Sequence, residues 1–109
     1  MAYKHSVLMG TAALAALLSM PVLADAKADQ ARAEEIVSGR CFLCHGMEGE
    51  SASPVFPRLA GQHPRYIEDQ LRQFNKRERT NDNAVMHTVA SKLSELETHA
   101  VAEYIATLD

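Results

Sequence analysis

The chain has 109 residues, with two Cys, no Trp, few aromatics, and 11 Lys and Arg against 14 Asp and Glu. This length holds one small domain and no more, and the net charge of −3 argues against a nucleic-acid-binding surface. So few aromatics and at most one disulfide make an apolar core marginal, which calls for a staple such as a metal or a large cofactor.

Met1 to Ala24 reads as a secretory signal peptide. Lys4 and His5 make a weakly basic start, Val7 to Leu18 is an apolar run rich in Ala and Leu, and Val22-Leu23-Ala24 supplies a small-residue cleavage pattern. The run is about 12 residues, short of the roughly 20 needed to span a bilayer. The expectation is export across the inner membrane to the periplasm, cleavage after Ala24, and no stable membrane insertion afterwards. An uncleaved anchor is the alternative. The mature domain would be residues 25–109, rich in helix signals and without the alternation of a strand.

Asp25 to Val37 is Ala- and Glu-rich and predicts a helix with Ala33, Ile36 and Val37 on its apolar side, ended by Gly39. Gly46 to Gly61 carries Gly, Pro and Ser and reads as a long loop. Pro64 is a good first-turn residue for a second helix to about Lys76, with Ile67, Leu71 and Phe74 as its stripe. Its basic residues, Arg72 and Lys76, together with Arg77 and Arg79, read as an ordinary solvated face. Asn81, Asp82 and Asn83 break the pattern and can cap a short helix through Met86 and Ala90. Ser94 followed by Glu97 forms a capping box that opens a last helix, whose buried face is expected at Leu96, Ala100, Val101, Tyr104, Ile105 and Leu108. The fold class is therefore all-α, three to four helices linked by one long loop.

Cys41-Phe42-Leu43-Cys44-His45 is the pattern of covalent haem c attachment. Two thiols at this spacing on one tight turn reach the two vinyl groups of a porphyrin, and the next residue aims an imidazole at the iron. A thioredoxin-like disulfide site lacks its βαβ frame here. A structural zinc site lacks its second pair of ligands, and a disulfide closing so short a loop would stabilise little. One haem, held by Cys41 and Cys44 with His45 on the iron, is the expected cofactor, and it would also fill the core of a domain this small.

A haem iron that only passes electrons is usually closed by a second protein ligand, often Met, whose soft sulfur favours the reduced ion. Beyond the signal only Met47 and Met86 are present. Met47 lies two residues past His45 and cannot reach the opposite face, whereas Met86 has enough chain before it to wrap the haem edge. Three alternatives stay open from the residues alone. Met86 also falls at helical spacing with Val89, Ala90 and Leu93 and could be plain core, His87 is a rival ligand, and an empty sixth site would give a gas-binding or peroxidatic protein. His63 and His99 read as solvent-exposed or capping residues.

These motifs resemble the class I cytochromes c, in particular the short bacterial cytochromes c553 and one lobe of the dihaem cytochromes c4. The likeness runs through Cys41-Phe42-Leu43-Cys44-His45-Gly46, Phe56-Pro57-Arg58-Leu59-Ala60-Gly61-Gln62, Tyr66 to Phe74, Arg79-Thr80-Asn81, Met86 to Ser94, and Ala102 to Leu108. The resemblance implies that Met86 is the sulfur ligand, that Pro57 offers its carbonyl to His45, and that Leu59 packs on the haem. It further implies that the first and last helices cross at Ala33 and Val37 against Val101, Tyr104 and Ile105. Ala33 stands where many relatives carry Gly, so the crossing is expected to be slightly wider. Gln62, Tyr66, Arg79 and Asn81 are candidate propionate contacts.

No catalytic acid, base or nucleophile set is evident, so the chain reads as an electron carrier and not an enzyme. The implied role is a periplasmic shuttle of the respiratory chain, between a quinol-oxidising complex and a terminal oxidase or reductase. Partners are expected to dock beside Cys41 and Cys44. A haem subunit of a larger oxidoreductase and an open-site haem protein are the rival readings.

Overall fold

The computed structural model describes residues 1–6 and 20–109; the apolar run expected to be a signal peptide lies outside the described residues. Five α-helices follow in order: α1 Met20–Ile36, α2 Phe42–His45, α3 Pro64–Asn75, α4 Val85–Ala90 and α5 Glu95–Ala106. No strand occurs among the described residues, in line with the all-α expectation.

The first helix departs from its predicted ends. Among the described residues it already runs from Met20, ahead of the expected Asp25, and Gly39 does not stop it. Instead a π-helical turn over Val37–Cys41 carries the chain into α2, with the Phe42 N–H donating to the Val37 carbonyl five residues back. Gly39 is exposed, and a side chain there would meet nothing within 4 Å, so it supplies no break. The real stop is Gly46, whose φ of +92° is open chiefly to glycine. The widened turn re-aims the helix just where the two cysteines begin.

Local chemistry sets the other starts. Pro64 occupies the first turn of α3, where its missing N–H costs nothing, and the exposed His63 caps that helix by accepting from the Arg65 N–H at 3.2 Å. α3 ends in a Schellman motif without glycine. Arg77 takes the left-handed conformation (φ +59°), and the Arg77 and Glu78 N–H groups donate to Phe74 (3.3 Å) and Gln73 (2.9 Å). Ser94 and Glu97 form the predicted capping box on α5, each side chain bonding the other's backbone N–H.

α5 packs against both α1 and α3, and α4 packs on α3. The core joins Ala33, Ile36 and Val37 to Val101, Ala102 and Ile105, with Phe42, Ile67 and Leu93 completing it and Tyr104 packed alongside. The predicted crossing at Ala33 and Val37 therefore holds. One expectation fails: Leu96 is 61% exposed, while Thr98 and Ala102 are buried. The buried face of α5 follows residues 98, 101, 102 and 105, and Leu96 lies two residues, about 200°, from Thr98. Ion pairs tie the helices outside the core, Arg32 to Glu97 at 3.1 Å between α1 and α5, and Arg72 to Glu95 at 3.0 Å between α3 and α5. His99 also pairs with Glu68 across α3 and α5, so it is exposed and engaged away from the cysteine segment.

Candidate functional site

The π-turn and α2 present Cys41, Cys44 and His45 within about one helical turn. Both cysteines are free thiols. Cys41 packs against the core and Cys44 is exposed. Burial is the main cause that pushes the Cys41 thiol up to about 11.

His45 is 6% exposed, and its Nδ1 lies 2.7 Å from the Pro57 carbonyl oxygen. A carbonyl can only accept, so Nδ1 carries the proton and Nε2 keeps its lone pair for a metal. The ring is also fixed edge-on to Phe56, centroids 6.1 Å apart.

The loop between α2 and α3 delivers Pro57 to that position. Ser51 N donates to the His45 carbonyl at 2.9 Å, and the single Ser51 hydroxyl proton is shared between the carbonyls of Ser53 and Phe56. The Gly49 carbonyl accepts from the N–H groups of Leu59 (2.8 Å) and Ala60 (3.1 Å), pinching the loop shut. Gly49 is needed there: a side chain would lie 3.2 Å from the Ala60 nitrogen, and its φ is +73°. The pinch leaves Leu59 partly buried against the core. Sequence reasoning missed Ser51, which is one of several serines in the loop and carries no distinguishing signal.

Met86 is half-buried in the first turn of α4. Its neighbour His87 donates from Nδ1 to the Phe74 carbonyl at 3.0 Å, which turns the imidazole toward the end of α3. Among the candidate propionate contacts, Arg79 and Asn81 come together (2.9 Å). Arg79 also reaches Gln70 and lies over the Phe74 ring at 4.5 Å. Gln62 and Tyr66 are exposed. Just before the cysteine pair, Arg40 Nη1 is buried with no hydrogen-bond partner among the described residues.

These residues fit a covalent haem. Two unpaired thiols stand at attachment spacing, the imidazole beside them keeps a free Nε2, and Leu59 offers apolar surface. An unpartnered cationic nitrogen nearby suits a group that bears carboxylates.

The family model for cytochrome c matches residues 30–109. The chain is 41% identical over 87 residues to cytochrome c4 of Thiocapsa roseopersicina, covering 80% of this chain and 42% of that protein. It is 32% identical over 81 residues to cytochrome c-554(548) of Halomonas halodenitrificans, covering 73% of this chain and 98% of the relative. The cytochrome subunit of sulfide dehydrogenase from Chlorobaculum tepidum is 40% identical over 74 residues, covering 68% of this chain and 64% of that protein. The solved structure of reduced cytochrome c4 from Pseudomonas stutzeri superposes with a TM-score of 0.71 at 33% identity, covering 76% of this chain and 50% of that one. The chain thus spans less than half the length of the c4 sequence it matches. A helical fold shared with cytochrome c4, a matching family model and an attachment motif on a tight turn lead to one conclusion: the chain belongs to the cytochrome c family, class I and c4-like, whose cofactor is covalently bound haem c.

Proposed function

We propose that Cys41 and Cys44 form the thioethers to the haem, that His45 and Met86 are its axial iron ligands, and that the protein carries single electrons between redox partners in the periplasm. The observation that carries this reading is the buried His45 ring donating from Nδ1 to Pro57, which leaves Nε2 for iron and raises its basicity. When bound, the haem supplies a one-electron iron couple, whose potential a Met ligand raises. The chain's part is to hold two ligands on separate elements, His45 on α2 and Met86 on α4, and to keep water away with Phe42, Leu59 and Leu93. His87 likewise donates from Nδ1 to a carbonyl and keeps its Nε2 free, so Met86 is preferred over it on the family resemblance and not on this bond.

Docking is supported by the surface around the exposed Cys44. Leu43 and Met47, its neighbours in the chain, stand out at 79% and 76% exposure, an apolar rim where a partner would meet the haem edge. A quinol-oxidising complex as donor and a terminal oxidase or reductase as acceptor fit a carrier of this kind. The relative named as a subunit of sulfide dehydrogenase favours a second reading, a haem subunit of a larger oxidoreductase. A partner that stays bound through purification would support that reading over the shuttle.

Signal cleavage after Ala24 belongs to this proposal. Residues 25–28 of α1 are exposed, and Ala33 is its first buried residue among those described, so a chain starting at Asp25 would begin clear of the core. No helix among the described residues is long and apolar enough to cross a membrane.

The test is the oxidised optical spectrum of the exported holoprotein beside Met86→Ala. The proposal expects a weak far-red sulfur-to-iron band in the wild type, lost in the variant. A band that persists in Met86→Ala, or is absent from the wild type, contradicts it.

A further inference from the structure

The segment between α3 and α4 is costly to hold. Asn83 and Ala84 take the left-handed conformation in succession, at φ +51° and +65°, and neither is glycine. Ala84 is the N-cap position of α4, yet its side chain caps nothing. Met86 follows two residues later, so the strain sits directly at the base of the turn that carries it.

Asp82 compensates from two residues further back. Its Oδ2 accepts from the His87 N–H at 2.7 Å, in the first turn of α4, and its carbonyl accepts from the Val85 N–H at 3.1 Å. Its side chain is only 1% exposed. Oδ1 finds no hydrogen bond but faces Arg77 Nη1 at 3.7 Å, an ion pair to the residue that ends α3. Burial alone would raise this carboxyl; the N–H groups of His87, Ala84 and Asp82 itself, with Arg77, outweigh that and hold it below the ordinary range. One buried carboxylate therefore clasps the end of α3 to the start of α4.

We propose that Asp82 is the positioning residue for the Met86 ligand: its bond to the His87 N–H and its pairing with Arg77 hold the strained turn and keep the Met86 sulfur on the iron. This rests on the reading of Met86 as a ligand. Without the clasp, the strain at Asn83 and Ala84 favours an open form in which the sulfur leaves. An added ligand that competes for that position then binds in proportion to the open population.

Imidazole is the probe, titrated at neutral pH into oxidised holoprotein, with loss of the far-red band as the readout. Four proteins are compared with the wild type: Asp82→Ala, Asp82→Asn, Ser94→Ala and Met86→Ala. Asp82→Ala should tighten imidazole binding about three- to thirty-fold, the range expected for a lost helix cap. Asp82→Asn keeps an oxygen for the His87 N–H, so it should fold readily and fall between wild type and Asp82→Ala. Ser94→Ala removes the cap of α5, lowering overall stability without touching the turn, and should leave imidazole affinity at the wild-type value. Wild-type affinity in both Asp82 variants, or equal tightening in Ser94→Ala, overturns the inference while leaving Met86 ligation standing. A far-red band that survives in Met86→Ala overturns both.

Discussion

Gly46 turns the chain off α2 at φ +92° and ψ 157°, a backbone region essentially closed to residues with a side chain. A Cβ there would also meet the Glu50 carboxylate at 2.9 Å, but that side chain is flexible and can yield; the backbone cannot. Gly46→Ala should therefore destabilise the holoprotein by about 1–3 kcal/mol, read as a lower denaturant midpoint with an unchanged slope. At this scale the cysteine motif was fully legible, because attachment chemistry dictates the spacing. The partner of His45 was legible only through family resemblance. Pro57 meets His45 through a main-chain carbonyl, delivered by the Gly49 pinch and by Ser51, and a backbone acceptor leaves no mark in residue type.

Among the elements, those with local causes were readable. Pro64 opens α3, and Ser94 with Glu97 opens α5, each within a residue or two of its expected place. Features set by tertiary packing were not: the π-turn through Gly39, the left-handed Arg77 that ends α3, and the outward-facing Leu96. The capping box also carries a pH dependence. The Ser94 N–H is the main cause holding the Glu97 carboxyl below its ordinary value, with Arg32 assisting against the opposing effect of burial. A carboxyl depressed in the folded state contributes stability that is full above its unfolded value and lost as pH falls below it. Urea unfolding of wild type and Glu97→Gln should thus differ most at neutral pH. The difference should shrink as pH drops through the ordinary glutamate value of 4.5. A gap that is constant with pH would count against the charge of Glu97 as its source.

For the molecule as a whole, three longer helices enclose a core of small and branched residues, with Ala33, Val37 and Ala102 fully buried where α1 meets α5. That frame leaves α2, the long loop and α4 to present the site, so the proposed ligands, His45 and Met86, sit in the least regular parts of the chain. Such an arrangement would suit a reaction with no bond-making at the iron: under the proposed ligation, Pro57 holds His45 from behind and the Asp82 turn is the device proposed to hold Met86. An iron closed on both faces would serve electron transfer alone, and adding carbon monoxide to the reduced holoprotein probes that closure. The wild-type spectrum is expected to stay unchanged; ready formation of a carbon monoxide complex would point instead to an open-site haem protein.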